Sequence, residues 1–201
     1  MRLQPSALQA GFRDAVHDSQ AVFRTVMRAM SFPALPVSLP TNLAPPSPLI
    51  ATAAAILITL ADFETTIWLD APLAGSDAVC QFARFHTGAR LVRDPREAQF
   101  ALASAPQSMP RLASLNQGTS EYPDRSTTLI VQVAGFSATG LVLTGPGFKT
   151  VRQFSFSGMP EGFEQQLTDN RAQFPRGVDI VLATSAHVAA LPRSVRLARE
   201  G

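Results

Sequence analysis

The run Phe174-Pro175-Arg176-Gly177-Val178-Asp179-Ile180-Val181-Leu182-Ala183-Thr184 is the most strand-like stretch of this chain, and Asp179 sits in its middle. β-Branched and aliphatic residues surround one carboxylate. An ionised carboxylate is costly to bury without partners, so Asp179 is expected to be hydrogen-bonded, charge-paired or placed at a functional edge. Strand ends beside a Gly-containing loop are also where α/β proteins often place ligands. The run is therefore either a structural lock or a site, and the rest of the chain has to decide which.

Outward from it, helical and extended patterns interleave. Apolar residues at Phe12, Val16, Val22, Phe23, Val26, Met27 and Met30 form one stripe of a helix over 12–30, ended by Pro33. Pro36 to Leu39 reads as a short strand and Pro40 to Pro48 as a stiff loop. Leu49 to Ala61 is apolar all round, which predicts a buried helix closed by Asp62. Thr65 to Leu69 is a strand by residue type. Ser76 and Asp77 cap a helix running to Thr87, with Gly88 after its end. Arg90 to Arg93 and Gln99 to Ala103 are expected strands, and Met109 to Gln117 a short helix stopped by Gly118.

From Thr127 the pattern changes. Strands are expected at Thr127–Val133 and Leu141–Thr144, joined by a connection at Gly135–Gly140 and paired antiparallel. Gly145-Pro146-Gly147 is a sharp turn, Val151 to Phe156 a strand, and Pro160 opens a helix to Ala172 with Phe163 and Leu167 inward. The Asp179 strand follows, then a last strand, Ser194 to Arg199. This order predicts an α/β layered sandwich with a mixed sheet, in a single domain over residues 1–201.

Composition sets limits on function. The chain has 201 residues, 46% of them hydrophobic and only 16% charged, against about 25% for average soluble domains. Partner subunits covering much of the surface would account for this, and so would an Ala-rich soluble protein. Net charge is +2, and Lys149 is the only lysine. No basic block and no aromatic-basic interleaving points to nucleic acid. The single cysteine, Cys80, excludes an intrachain disulfide and a Cys-based zinc cluster. Gln4, Pro5 and Ser6 stand where the apolar core of a signal peptide would begin. The longest uncharged apolar stretch has thirteen residues, Leu49 to Ala61, where a membrane span needs about 20. The expectation is a cytoplasmic protein in a reducing compartment.

Chemistry is sparse. His17, His86 and His187 share no metal-ligand spacing, and no Gly-x-Ser-x-Gly elbow is present. His86 falls in a last helical turn, where a cation suits the helix dipole. Thr144 to Thr150 has the look of a P-loop but lacks its spacing and leads into a strand. A pyridoxal phosphate enzyme would need Lys149 for its Schiff base and Asp179 for the pyridinium nitrogen. Lys149 precedes Asp179, the reverse of the order in aminotransferase-like enzymes.

Seven segments in register carry a resemblance. They are Phe23-Arg24-x-x-x-Arg28-Ala29-Met30-Ser31-x-Pro33, Thr59-Leu60-Ala61-Asp62 before Trp68-Leu69, and Arg84-Phe85-His86-Thr87. Later come Thr128-Leu129-Ile130-x-Gln132-Val133, Leu143-Thr144-Gly145-Pro146-Gly147, Phe174-Pro175-x-Gly177-Val178-Asp179 and Leu191-Pro192-Arg193. Over about residues 12–193 the chain resembles the PhnH family, a subunit of the bacterial carbon–phosphorus lyase system. One departure is Ala34, where family members often carry glycine.

The resemblance implies a three-layer αβα sandwich similar to the large domain of aminotransferase-like pyridoxal phosphate transferases, without the cofactor site and with no cofactor of its own. It also implies a homodimer that joins the G, I and J subunits in a core complex, with no nucleic acid and no membrane. That complex joins a phosphonate to the ribose carbon of ATP and releases adenine, and this subunit is expected to be a non-catalytic scaffold. Arg24, Arg28, Asp62, Arg84, His86, Thr144, Gly145, Gly147, Asp179 and Arg193 are the expected binding or interface residues. None is expected to be catalytic or to bind metal. The alternative is that Arg24, Arg28, Arg84 and His86 hold phosphate or phosphonate directly. An independent pyridoxal enzyme is a third reading.

Overall fold

The computed structural model describes residues 10–198. Its elements in chain order are α1 (Ala15–Ser31), β1 (Val37–Ser38), α2 (Ala51–Leu60), β2 (Thr66–Leu69), α3 (Ala71–Ala74), α4 (Asp77–Thr87), β3 (Arg90–Val92), β4 (Phe100–Ala103), β5 (Thr128–Gln132), β6 (Phe136–Thr144), β7 (Arg152–Phe156), α5 (Phe163–Ala172), β8 (Asp179–Ala183), β9 (His187–Leu191) and β10 (Arg196–Leu197). Seven strands form a mixed sheet in the order β1-β9-β8-β5-β4-β2-β3, and three form a smaller sheet, β10-β6-β7. In the large sheet β3, β2, β4, β5 and β8 run parallel, while β9 is antiparallel to both of its neighbours. The expected α/β class with a mixed sheet is the one observed.

Both faces of the large sheet are buried, and the period of two sorts its side chains between them. Ile67, Leu102, Ile130 and Val181 face a core closed by α1, α2 and α4. Ala101, Leu129, Val131, Ile180 and Leu182 face a second core, where Phe154, Phe156, Phe163 and Leu167 come from β7 and α5. The layer on that second face is thus shared between a small sheet and one helix, not helical throughout. Each helix has a visible cause. Asp14 caps α1 by accepting from the Val16 and His17 N–H groups, and the backbone bond from His17 leads the effects that hold its carboxyl below the usual range. Ser76 caps α4, and Gly88 ends it in the left-handed region with φ 69°. Thr52 to Leu57 of α2 are all buried, as its uniformly apolar sequence requires.

Several expectations are corrected. Thr128–Gln132 pairs with β4 and β8, not with Leu141–Thr144. The segment read as the 135–140 connection is strand: β6 runs from Phe136 to Thr144 and leaves the large sheet to pair with β7 and β10. An irregularity between Ser137 and Leu141 absorbs Gly140, and this masks the alternation. Only Leu112–Ser114 of the expected 109–117 helix turns, as a 3-10 turn, because Pro110 removes a donor. α5 begins at Phe163 after Gly162 in the left-handed region, not at Pro160. β9 and the short α3 were not expected at all. Asp179 is the first residue of β8, not its middle. The last strand contracts to Arg196–Leu197; Arg199 lies outside the described residues, as do Gln4 to Ser6. No helix among the described residues is long and apolar enough to cross a membrane.

Ala34 adopts φ 59°, is buried, and donates its N–H to the Ala190 carbonyl. The departure at Ala34 is therefore a left-handed turn held with a side chain. The turn at Gly145–Gly147 docks on the end of α1. A Cβ on Gly147 (φ 85°) would lie 2.3 Å from the Ser31 carbonyl oxygen and 2.6 Å from Pro33 Cδ. Gly147→Ala is expected to cost roughly 2–4 kcal/mol, from backbone strain plus displacement of the α1 terminus. The midpoint of a urea unfolding curve measures it, and an unchanged midpoint would show that the turn detaches without penalty.

Candidate functional site

The carboxyl ends of parallel strands are the usual ligand position in open α/β sheets, above all where neighbouring strands send the chain to opposite faces. Here that point lies between β2 and β4. From β2 the chain leaves to the α4 face, and from β4 to the face of Leu112 and Leu115. The position is filled by Asp70, which is 1% exposed. Its carboxylate accepts from the Ser104 N–H and the Ser104 hydroxyl, both at 2.6 Å, from the Ser108 hydroxyl, and from the Leu73 N–H at 3.2 Å. One strand along, Gln132 ends β5. Its Oε1 accepts from the Ile50 N–H at 2.8 Å, and its Nε2 donates to the Pro48 and Ser104 carbonyls. Thr52 of α2 donates to the Thr184 carbonyl beyond β8.

An open crevice of about 560 Å³ remains beside this stitching, lined by Ile50, Ser104, Gln107, Gln132, Ser157 and Ser185 among others. Its lining is apolar, hydroxyl and amide, with no ionisable side chain. It can hold a small polar group, but it supplies no acid, base or charged clamp. Sequence reasoning missed Asp70, Ser104 and Gln132 as a group, because their partners are backbone atoms and hydroxyls far away in the chain. The Gln132 motif position was the one signal available.

Asp179 and Arg193 lie at the opposite, entry end of β8. Arg193 Nη2 donates to Asp179 Oδ2 at 2.5 Å, Nε reaches both oxygens at 3.2 Å, and the Arg193 N–H donates to Oδ1 at 2.8 Å. Arg193 Nη1 also donates to the Pro123 and Pro175 carbonyls. Both side chains are 15% exposed. Asp179 is thus both hydrogen-bonded and charge-paired, two of the outcomes expected for a carboxylate in this run. Gly177 just before it (φ 123°) leaves no room for a Cβ, which would meet the Asn170 backbone and side-chain oxygens at 3.0 Å. Asn170 in turn bonds both backbone groups of Val178.

The remaining expected residues fall into two separate groups. Arg24 and Arg28 are exposed on the last turns of α1, beside the turn that holds Thr144, Gly145 and Gly147. Arg84 and His86 end α4. The His86 ring packs against Phe82 and Phe85 at centroid distances of 4.4 and 5.0 Å, and a Cβ on Gly11 would lie 2.9 Å from it. His86 shares a cleft with Gly11, Ala15 and Ser19 at the start of α1, whereas Arg28 stands nine residues beyond Ser19, roughly 13 Å further along the helix at 1.5 Å per residue. One copy of the chain does not bring the four residues of the anion-binding reading together. Asp62 is exposed and accepts from the Glu64 N–H. Among the described residues no group of three or more His, Cys, Asp or Glu side chains gathers as a metal site. Lys149 is exposed on the Gly147 turn, and Cys80 Sγ lies 3.5 Å from the Ala74 carbonyl oxygen.

Removing the Asp179 carboxylate strands Arg193 and frees the last segment. Asp179→Ala is expected to cost about 2–4 kcal/mol, between the small worth of an exposed pair and the larger loss from a buried one. Urea unfolding measures this. A variant within experimental error of the parent would mean that the Pro123 and Pro175 carbonyls hold Arg193 unaided.

Comparisons with known proteins agree on one assignment. Residues 10–198 match the family described as bacterial phosphonate metabolism protein (PhnH). A protein from Rhizobium meliloti (strain 1021), named alpha-D-ribose 1-methylphosphonate 5-triphosphate synthase subunit PhnH, is 37% identical over 201 residues, covering all of both chains. A protein from Stutzerimonas stutzeri, named putative C-P lyase subunit protein HtxG, is 30% identical over 188 residues, covering 90% of this chain and 87% of its own. With the match spanning every described residue, this chain belongs to the PhnH family of bacterial phosphonate metabolism proteins.

Proposed function

We propose that the chain is a structural, non-catalytic subunit of the carbon–phosphorus lyase core complex in the cytoplasm. It is required there for forming ribose 1-phosphonate 5-triphosphate from ATP and a phosphonate, with release of adenine. The observation that carries this reading is end-to-end similarity to a protein named as a subunit of that synthase. The geometry supports it. The polar groups at the sheet's ligand-binding edge are engaged in holding the fold, and the open crevice carries no ionisable group. In this reading the chain works as one folded unit. Its sheet is related to the large domain of aminotransferase-like pyridoxal phosphate transferases and has no use for their cofactor. Asp179 is committed to Arg193, and Lys149 sits on an exposed surface turn.

The expected assay outcome is clear. The purified protein releases no adenine from ATP and methylphosphonate, and mixing it with the G, I and J subunits restores release that those three lack without it. Adenine release by the protein alone at a useful rate would end the scaffold reading. If Arg84→Ala and His86→Ala leave assembly intact but abolish activity, the direct anion-binding role replaces it.

The homodimer fits the surface at the end of α4. Phe63 and Phe85 are 78% and 63% exposed there, and Phe63 packs beside Gly88. Asp62, Glu64, Arg84 and Arg90 surround them, all exposed and of both signs. A two-fold contact places each patch against itself, so a mixed rim lets acid meet base. Phe63→Ser with Phe85→Ser is expected to give a monomer in sedimentation at concentrations where the parent is a dimer; a dimer of unchanged affinity moves the contact elsewhere.

A further inference from the structure

A second apolar surface differs from the first in charge. It runs along the outer face of α1 and continues onto the turn after β6. Phe23 and Met27 are 48% and 47% exposed, four residues apart on one helix face. Ser31 continues that row, and its carbonyl is the group that the Gly147 turn packs against. Phe32 beside it is also exposed, as is Val151 on the turn's far side. Arg152 ties the two halves together by donating to the Pro33 carbonyl at 2.8 Å. Scattered single apolar residues are ordinary, but a contiguous row of this kind marks an interaction surface.

Among the described residues, the segments that form this surface carry no carboxylate. Between Ser19 and Ala61 the chain has no Asp or Glu, and none between Arg125 and Pro160. The charges present are Arg24, Arg28, Lys149 and Arg196, all exposed, together with the half-buried Arg152. Arg196 joins them because Gly145 lies against its backbone. Among the described residues the ion pairs are His17–Asp14 and Arg193–Asp179, so none of these cations is neutralised by one. On α1 the acids Asp14 and Asp18 sit only at its start. A two-fold self-contact here would set each cation against the same set in the copy, and like charges across an interface are strongly disfavoured.

We propose that this face docks a different protein chain, through a segment of that chain that is both apolar and acidic. The claim rests on the subunit reading above and adds to it which face meets the neighbouring subunits and with what chemistry. Phe23, Met27, Phe32 and Val151 supply the desolvated centre. Arg24, Arg28, Lys149 and Arg196 supply a rim that attracts carboxylates and rejects a second copy of this chain.

The test uses the full chain co-expressed with the G, I and J subunits and purified through a tag on one of those three. Arg24→Glu with Arg28→Glu is expected to lower its retention at least about tenfold, as charge reversal at a rim does. The variant should remain a dimer with an unchanged circular dichroism spectrum, and Arg24→Lys with Arg28→Lys should be retained. Parental retention should weaken as salt rises to about 0.5 M, where surface charges are screened within a few ångströms. Retention of the Glu variant at the parental level overturns the proposal and leaves the subunit reading standing. Loss of the dimer in that variant overturns it by assigning the face to self-association. Loss of parental retention on nuclease treatment overturns it in favour of nucleic acid. If the parent itself is not retained, the subunit reading fails and this proposal fails with it.

Discussion

A parallel sheet buried on both faces has no place for a polar side chain along its length. Ile130, Val131, Ile180, Val181 and Leu182 are all fully buried, and they fill the two cores between them. Polar side chains are therefore driven to the strand ends, and there they tie down the connections. At the entry end of β8, Arg193 holds Asp179 together with the carbonyls of Pro123 and Pro175, while Asn170 replaces a missing strand neighbour for Val178. At the exit end, Asp70 and Gln132 bind segments that have no other reason to lie close to one another. These few bonds fasten the start of α2, the Pro-rich loop and the C-terminal segment to the strand ends. Each would otherwise leave buried polar atoms unpaired, which costs more than the bond itself contributes.

What the sequence made legible follows from how local the causes are. The α2 helix, the capped α4 and the Asp179 strand each carry their reason within a dozen residues; both helices are found where the pattern puts them, and the strand occupies the second half of its run. β9 does not. His187-Val188-Ala189-Ala190-Leu191 has weak strand character, and it is a strand because β8 and β1 flank it. The pairing of β5 was misread because Gly135 looks like a hairpin connection, whereas the chain changes sheets there. That Asp179 needs a partner was legible, since a lone carboxylate in an apolar run demands one; that Arg193 supplies it with both its side chain and its N–H is a tertiary fact. Asp70 was not: apart from the Leu73 N–H, it accepts from the Ser104 N–H and the Ser104 and Ser108 hydroxyls, 34 and 38 residues away. For Gln132 and Ile50 the separation is 82 residues. The glycines at 147 and 177 were legible as turns, but the close approaches that exclude a side chain are tertiary facts.

The motif residues then divide by what holds them in place. Gln132, Gly147, Gly177, Asp179 and Arg193 face inward or against neighbouring backbone, and their replacement damages the fold. Arg24, Arg28, Arg84 and Asp62 are exposed, and nothing in the fold of one chain requires their charges. Ala34 shows how firm the first kind of constraint is, since the backbone keeps its left-handed turn even with a methyl group where glycine is favoured. A charged content of 16% also has a local expression, because few charges are spread over the outer helices and large apolar side chains stand among them.

Apolar area alone would allow either outer surface to take either partner. Sign separates them. Around Phe63 and Phe85 acids and bases alternate, so a two-fold axis can pair them. Around Phe23, Met27 and the Gly147 turn the described charges are positive, so the same operation brings repulsion that burial of four apolar side chains must overcome. If both proposals hold, one self-complementary face and one that rejects itself direct the molecule toward a bounded assembly: two copies meeting at one surface, and foreign chains of opposite charge at the other. Because α1 and α4 pack on one core, contact made at one face would be held in register with contact made at the other.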